Sequence, residues 1–126
     1  MNREIKFRAW QSQEKKMYVQ GDAVDENRKV FWDIWENKTH ISEPMQFTGL
    51  KDKNGKEVYE GDICRYSHDK DSKEYTGTIF YKSNSACFHL KTGDDSSFAL
   101  LGHQKEIKVI GNIYETPELI NCKNGH

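Results

Sequence analysis

The chain has 126 residues, enough for one domain or one domain with a small appendage. Charged residues make up 31% and hydrophobic residues 35%, which leans toward disorder, but 12% aromatic residues argue for a folded core of large side chains. With 19 Lys+Arg against 20 Asp+Glu the net charge is −1, which counts against a nucleic-acid coat or a membrane-surface protein.

Ile5, Phe7 and Ala9 alternate with Lys6, Arg8 and Trp10, the period of a strand with one buried face and one face toward solvent or a partner. Gln11 to Lys16 is a polar turn, and Met17-Tyr18-Val19 is the return strand of a hairpin. Val30-Phe31-Trp32-Asp33-Ile34-Trp35 is the most apolar stretch of the N-terminal half. Its β-branched and aromatic residues favour a strand over a helix. Val30, Trp32 and Ile34 then share one face, with Phe31 and Trp35 on the other. A strand apolar on both faces belongs in the middle of a stack or in a subunit contact.

Met45 to Thr48 is a short strand stopped by Gly49, followed by the turn Lys51 to Lys56, whose Asn54-Gly55 step suits two successive residues of positive φ. Gly61-Asp62 leads into the strand Ile63 to Tyr66, with Asp62 placed to bond nearby backbone N–H groups. Ser67 to Glu74 is a solvated loop. Tyr75 to Tyr81 is a strong strand, in which Gly77 marks a bulge or a close backbone approach. Ala86 to Leu90 returns, Thr92 to Asp95 turns, and Ser97 to Leu101 and Ile107 to Tyr114 are the last strands. Thr116-Pro117-Glu118 starts a helix of one or two turns, to which helical structure is mainly confined. Strands separated by turn signals about every ten residues predict a mainly β, antiparallel protein.

No apolar run approaches the roughly 20 residues that cross a bilayer, and Met1 to Lys6 has no signal-peptide core, so a cytoplasmic protein without a membrane partner is expected. Cys64, Cys87 and Cys122 are odd in number and widely spaced, so no disulfide framework is expected. Cys64, His68, Cys87 and His89 are zinc-ligand types, but Cys87 and His89 stand too close for a knuckle, and no metal is expected. Asp52-Lys53-Asn54-Gly55 lacks the downstream ligands of a calcium loop. Neither a nucleophile elbow nor a glycine-rich phosphate loop occurs, so no catalytic residues and no cofactor are expected. The binding candidates are Arg8, Trp10, Phe31 and Trp35. Residues 1–20 hold five Lys and Arg against two Glu, a local excess of 5 − 2 = +3. Arg8 beside Trp10 on one strand face would suit single-stranded nucleic acid, the less favoured partner. Phe31 and Trp35 would suit the centre of a subunit contact.

Three blocks carry a resemblance: Phe7-Arg8-Ala9-Trp10, the run from Met45 to Ile63 (MQFTGLKDKNGKEVYEGDI), and Val109 to Leu119 (VIGNIYETPEL). In this order they resemble the YopX-like proteins of bacteriophages and prophages. The resemblance implies a phage or prophage origin in low-GC Gram-positive bacteria, a β-rich fold whose C-terminal part is an SH3-type barrel, and oligomers. It implies no activity and carries no catalytic residues. The expected organisation is an N-terminal β segment over residues 1–44, an SH3-like β-barrel part over 45–120 with a short C-terminal helix, and a flexible tail over 121–126. The expected role is that of a non-enzymatic accessory protein acting through protein–protein binding, as a homo-oligomer or on a phage or host protein. The alternative is a nucleic-acid-binding SH3-like module.

Overall fold

The computed structural model describes residues 5–21, 31–67, 74–92, 97–100 and 106–122. The chain divides into two compact units, Met1–Phe47 and Thr48–His126. The expectations for the loop after Ser67, the turn at residues 93–96 and the tail beyond Cys122 lie outside the described residues. Among the described residues the protein is mainly β, with antiparallel sheets, one of them a half-barrel, and a short C-terminal helix, as the residue patterns predict. No helix among them is long and apolar enough to cross a membrane.

In the first unit, β1 (Phe7–Gln11) lies between β2 (Lys16–Val19) and the start of β3 (Met45–Lys51). Ala9 is paired with Tyr18, and Arg8 with both Val19 and Met45. The hairpin turn is held by the Gln11 side chain, whose Oε1 accepts the Glu14 N–H while its Nε2 donates to the Thr39 carbonyl at 2.8 Å. Alternation along β1 places Phe7 and Ala9 on one face, where Ala9, Tyr18, Phe31 and Ile34 form a core joined by Phe7, Trp35 and Ile41.

The apolar stretch around Phe31 is a helix, α1 (Phe31–Asn37), and not the strand its composition predicts; helix is therefore not mainly confined to the C-terminus. Val30 lies outside the described residues. The reason is packing. Phe31, Ile34 and Trp35 stand at i, i+3 and i+4, so a helix gathers them into one stripe against Ala9 and Tyr18. The two faces that period two would create collapse into one, and this burial outweighs the modest β preference of the side chains. At the C-terminal end the Lys38 N–H donates to the Ile34 carbonyl, and Asn37 Nδ2 donates to the Asp33 carbonyl.

The second unit takes in the end of β3, then β4 (Glu57–Tyr59), β5 (Asp62–Ser67), β6 (Glu74–Lys82), β7 (Cys87–Thr92), β8 (Ser97–Ala99), β9 (Ile107–Asn112) and α2 (Glu118–Cys122). Its five-stranded sheet has the order β8-β7-β6-β5-β9. One face carries the core, built from Val58, Cys64, Ile79, Phe88, Leu90, Leu100, Ile107 and Val109. Cys64 serves there as a small apolar side chain, wholly buried. Gly77 marks a close approach, as expected: a Cβ there would stand 2.5 Å from the Lys91 carbonyl oxygen. The bulge lies elsewhere, between Ile63 and Cys64 against β9, where Ile110 is the extra residue.

Two buried carboxylates close the turns of the central block. Asp52 Oδ1 accepts the N–H groups of Asn54 and Lys56, each at 2.9 Å, and Oδ2 accepts the Val109 N–H at 2.8 Å. This grip changes the turn. Of Asn54 and Gly55 only the glycine has positive φ (85°), so the predicted pair of left-handed residues is replaced by an Asx turn. β3 also runs on past Gly49 to Lys51. Asp62, wholly buried, accepts the Tyr59 N–H at 2.8 Å, the local backbone bond expected of it. At the chain's far end Asn112 Oδ1 accepts the N–H groups of Tyr114 and Glu115, and Thr116 Oγ1 accepts the Asn112 N–H at 3.1 Å. A Cβ at Gly111 would collide with Thr116 Oγ1 and Leu119, so glycine is what lets the segment leading to α2 fold back on β9.

Asp52→Ala leaves three backbone N–H groups without their acceptor. Because each buried orphan costs about 1–3 kcal/mol and part of this set can reach water, the variant is expected to lose about 2–4 kcal/mol in chemical denaturation. A loss below about 1 kcal/mol would show that the turn holds without the carboxylate.

Candidate functional site

The four binding candidates come to different places. Arg8 and Trp10 share the face of β1 opposite Phe7 and Ala9, and both are buried there with Met45 and Phe47. The Trp10 N–H donates to Ser42 Oγ, and the Ser42 N–H donates back to the Trp10 carbonyl. Phe31 is buried in the core of the first unit, whereas Trp35 is half-buried and donates from Nε1 to the Ser42 carbonyl at 2.9 Å. Of the described N-terminal cations, Arg8 is buried, Lys6 sits over the Phe47 ring, Lys16 sits over the Tyr18 ring and Lys15 is exposed.

What the first unit does expose is aromatic. Trp32 is 37% exposed and packs edge-on against Phe31 and Trp35 and tilted against Phe7, with centroids 4.8, 5.9 and 5.4 Å away. Edge-to-face packing fixes these rings relative to one another. The helix that carries them is clipped to the hairpin by a small network. Tyr18 Oη donates to Glu14 Oε1 at 2.8 Å, and Lys38 Nζ donates to Glu14 Oε2 at 3.3 Å. The Tyr18 hydrogen bond, helped by Lys38, lowers the Glu14 pKa, while burial and then Glu14 raise that of Tyr18.

The second unit has a depression of about 420 Å³ on the face of its sheet opposite the core, lined by Thr78, Phe80, Lys82, Lys91 and Ser97. Register puts these residues together. Thr78 is paired with Lys91, Phe80 with His89, Lys82 with Cys87 and Lys91 with Ser97. His89 lies against this depression, its ring 5.9 Å from Phe80. Nδ1 and Ser97 Oγ are 3.0 Å apart, and Nε2 and Ser85 Oγ are 3.1 Å apart. Burial and, after it, the Lys82 charge lower the His89 pKa. A neutral imidazole engaged at both nitrogens by hydroxyls suits a fixed binding surface better than proton transfer.

Cys64 and Cys87 project from opposite faces of this sheet, Cys64 into the core and Cys87 toward Ser85 Oγ at 3.7 Å. His68 lies outside the described residues. Among those described, no group of three or more His, Cys, Asp or Glu is placed to hold a metal ion. Nothing in the linear sequence marks this depression. Thr78, Phe80 and Lys82 alternate with Gly77, Ile79 and Tyr81 as on any strand, and only pairing with β7 and β8 adds Lys91 and Ser97.

Fold and surfaces define a mainly β protein of two compact units, the second built on a half-barrel sheet with an outer polar depression. The chain belongs to the YopX protein family, whose sequence profile matches residues 6–121. It is similar to the crystal structure of protein EF1440 from Enterococcus faecalis, with 26% identity and a TM-score of 0.59 over 94% of this chain and 99% of that one. The crystal structure of protein YopX from Bacillus subtilis shares the fold at 20% identity, with a TM-score of 0.58 over 90% of this chain and 96% of that one. No curated protein matches the chain. The family is not a known enzyme family.

The His89 environment predicts a pH dependence of stability. Its folded pKa lies below the unfolded value of 6.5, so the unfolded chain binds more protons between the two. The contribution is complete above pH 6.5 and is lost as pH falls from there through the folded value. Melting scans between pH 7.5 and 5 should show a falling midpoint, and a smaller fall in His89→Gln. Identical slopes for the two proteins would contradict this.

Proposed function

We propose that this YopX-family chain is a phage- or prophage-encoded accessory protein of the bacterial cytoplasm that works by binding proteins, first of all a second copy of itself, and not by catalysis. The observation that carries the reading is the exposed edge of the ring cluster that Trp32 and Trp35 of α1 form with Phe7 of β1. A tryptophan held by three neighbouring rings has lost little further freedom when a partner covers it, so most of its burial energy is available to the contact. Fully burying an aromatic side chain is worth about 1.5–3 kcal/mol, which makes Trp32 a suitable anchor. Phe31, buried within its own unit, supports the helix and does not reach the partner. The phage origin and the cytoplasmic setting rest on the resemblance of the three sequence blocks.

Light scattering at tens of micromolar should give a mass above one subunit for the native chain and a lower mass for Trp32→Ser, with an unchanged far-ultraviolet spectrum. A native mass of one subunit would refute self-association. A folded variant of unchanged mass would move the contact away from α1.

A further inference from the structure

We propose that Asn54 is a latent modification site: it deamidates through Gly55 when the β3–β4 turn opens, the Asp52 grip prevents this in the folded chain, and the modified chain cannot rebuild the turn. The reaction thereby marks, irreversibly, chains that have unfolded.

Asn54 and Gly55 are both exposed, so water and base reach the step. Glycine has no side chain to shield its nitrogen from the neighbouring Asn54 amide. The turn needs that glycine, because its φ of 85° is one that other residues rarely adopt. In the reaction the Gly55 nitrogen gives its proton to solvent base and attacks the Asn54 side-chain carbonyl carbon. A new C–N bond forms, the bond to the side-chain nitrogen breaks, and that nitrogen takes up a proton and leaves as ammonia. Water then opens the five-membered imide at either carbonyl, giving aspartate or its β-linked isomer. Water is the sole co-reactant, and nothing is oxidised or reduced.

The folded turn blocks the first move. The Gly55 N–H donates to the Asp52 carbonyl at 2.9 Å. Those of Asn54 and Lys56 donate to Asp52 Oδ1, also at 2.9 Å. The Asp52 N–H reaches the Lys56 carbonyl at 2.8 Å, and the Lys53 N–H reaches the Ile107 carbonyl at 3.1 Å. Every backbone N–H from Asp52 to Lys56 thus has an acceptor within the fold. The Gly55 nitrogen cannot shed its proton and swing toward the Asn54 side chain without breaking these bonds, so attack waits for the turn to open. Neither product fits the turn again. The β-linked isomer adds a carbon to the main chain between the N–H groups of Asn54 and Gly55, and Asp52 can no longer gather both at their present spacing. Either product also places a second carboxylate beside buried Asp52, where like charges oppose each other.

Mass spectrometry of the intact chain after incubation at 37 °C and pH 8 tests the site, in buffer and in urea above the unfolding midpoint. Cleavage after glutamate then releases the segment that carries Asn54-Gly55, and tandem spectra score Asn54. Its deamidation should be at least about tenfold slower in buffer than in urea, because it waits on opening. Asn124-Gly125, likewise preceded by lysine, is the reference in urea, where the two steps should react at similar rates. Asp52→Ala, incubated where its melting scan shows it folded, should deamidate in buffer at least threefold faster than the native chain. Chains deamidated in urea and returned to buffer should unfold at a lower urea concentration than unmodified chains taken through the same cycle. Equal native rates in buffer and urea, a folded Asp52→Ala as slow as the native chain, or an unchanged midpoint for the deamidated chains would each overturn the proposal. If Asp52→Ala does not fold, the buffer–urea comparison and the refolded midpoint still decide it.

Discussion

The Asp52 carboxylate is the contact on which the second unit depends. It accepts three backbone N–H groups, two within its own turn and one from Val109, 57 residues further along the chain. A carboxylate is suited to this because its two oxygens together offer about four acceptor sites and no donor. The backbone adds a bond in each direction: the Asp52 N–H donates to the Lys56 carbonyl, and the Lys53 N–H donates to the Ile107 carbonyl. The turn between β3 and β4 is thereby locked to β9, the last strand of the five-stranded sheet. Asp62 repeats the device one turn later at Tyr59, and Asn112 at the corner before α2.

Holding the corners with buried polar groups has a consequence for function. The core of the second unit is small, and its strands are fixed at their ends by side-chain-to-backbone bonds as well as by apolar packing. The opposite face of the sheet is therefore left to polar and charged residues, among them Thr78, Lys82 and Lys91. In the first unit the division is different. One helix stripe makes the core, and the leftover ring of Trp32 makes the surface. The first unit thus exposes an aromatic edge, and the second a depression lined by Thr78, Phe80, Lys82, Lys91 and Ser97.

Strand positions were legible because period two and turn residues are local signals: β1, β2, β5, β6 and β7 lie close to where alternation puts them. The helix at Phe31 was not legible, because four apolar residues in five fit a two-sided strand as well as a helix, and the decision falls to Ala9 and Tyr18, which lie 22 and 13 residues upstream of Phe31. The role of Asp52 was hidden for the same reason. An Asn-Gly step announces a turn, but nothing local announces that a carboxylate two residues earlier will capture an N–H on a distant strand. Arg8 and Trp10 stood out as a paired motif, yet their burial depends on what covers the face of β1 they share. The depression beside His89 depends wholly on register, which sequence alone left open.

Native-state hydrogen exchange at the Val109 amide tests the central claim most directly, because that N–H has the Asp52 carboxylate as its acceptor. If the carboxylate fastens β9 to the β3–β4 turn, the Val109 amide should exchange only through global unfolding, with protection equal to that of core amides such as Leu90. Exchange of Val109 orders of magnitude faster than Leu90 would show that the contact opens on its own and that the sheet is held without it.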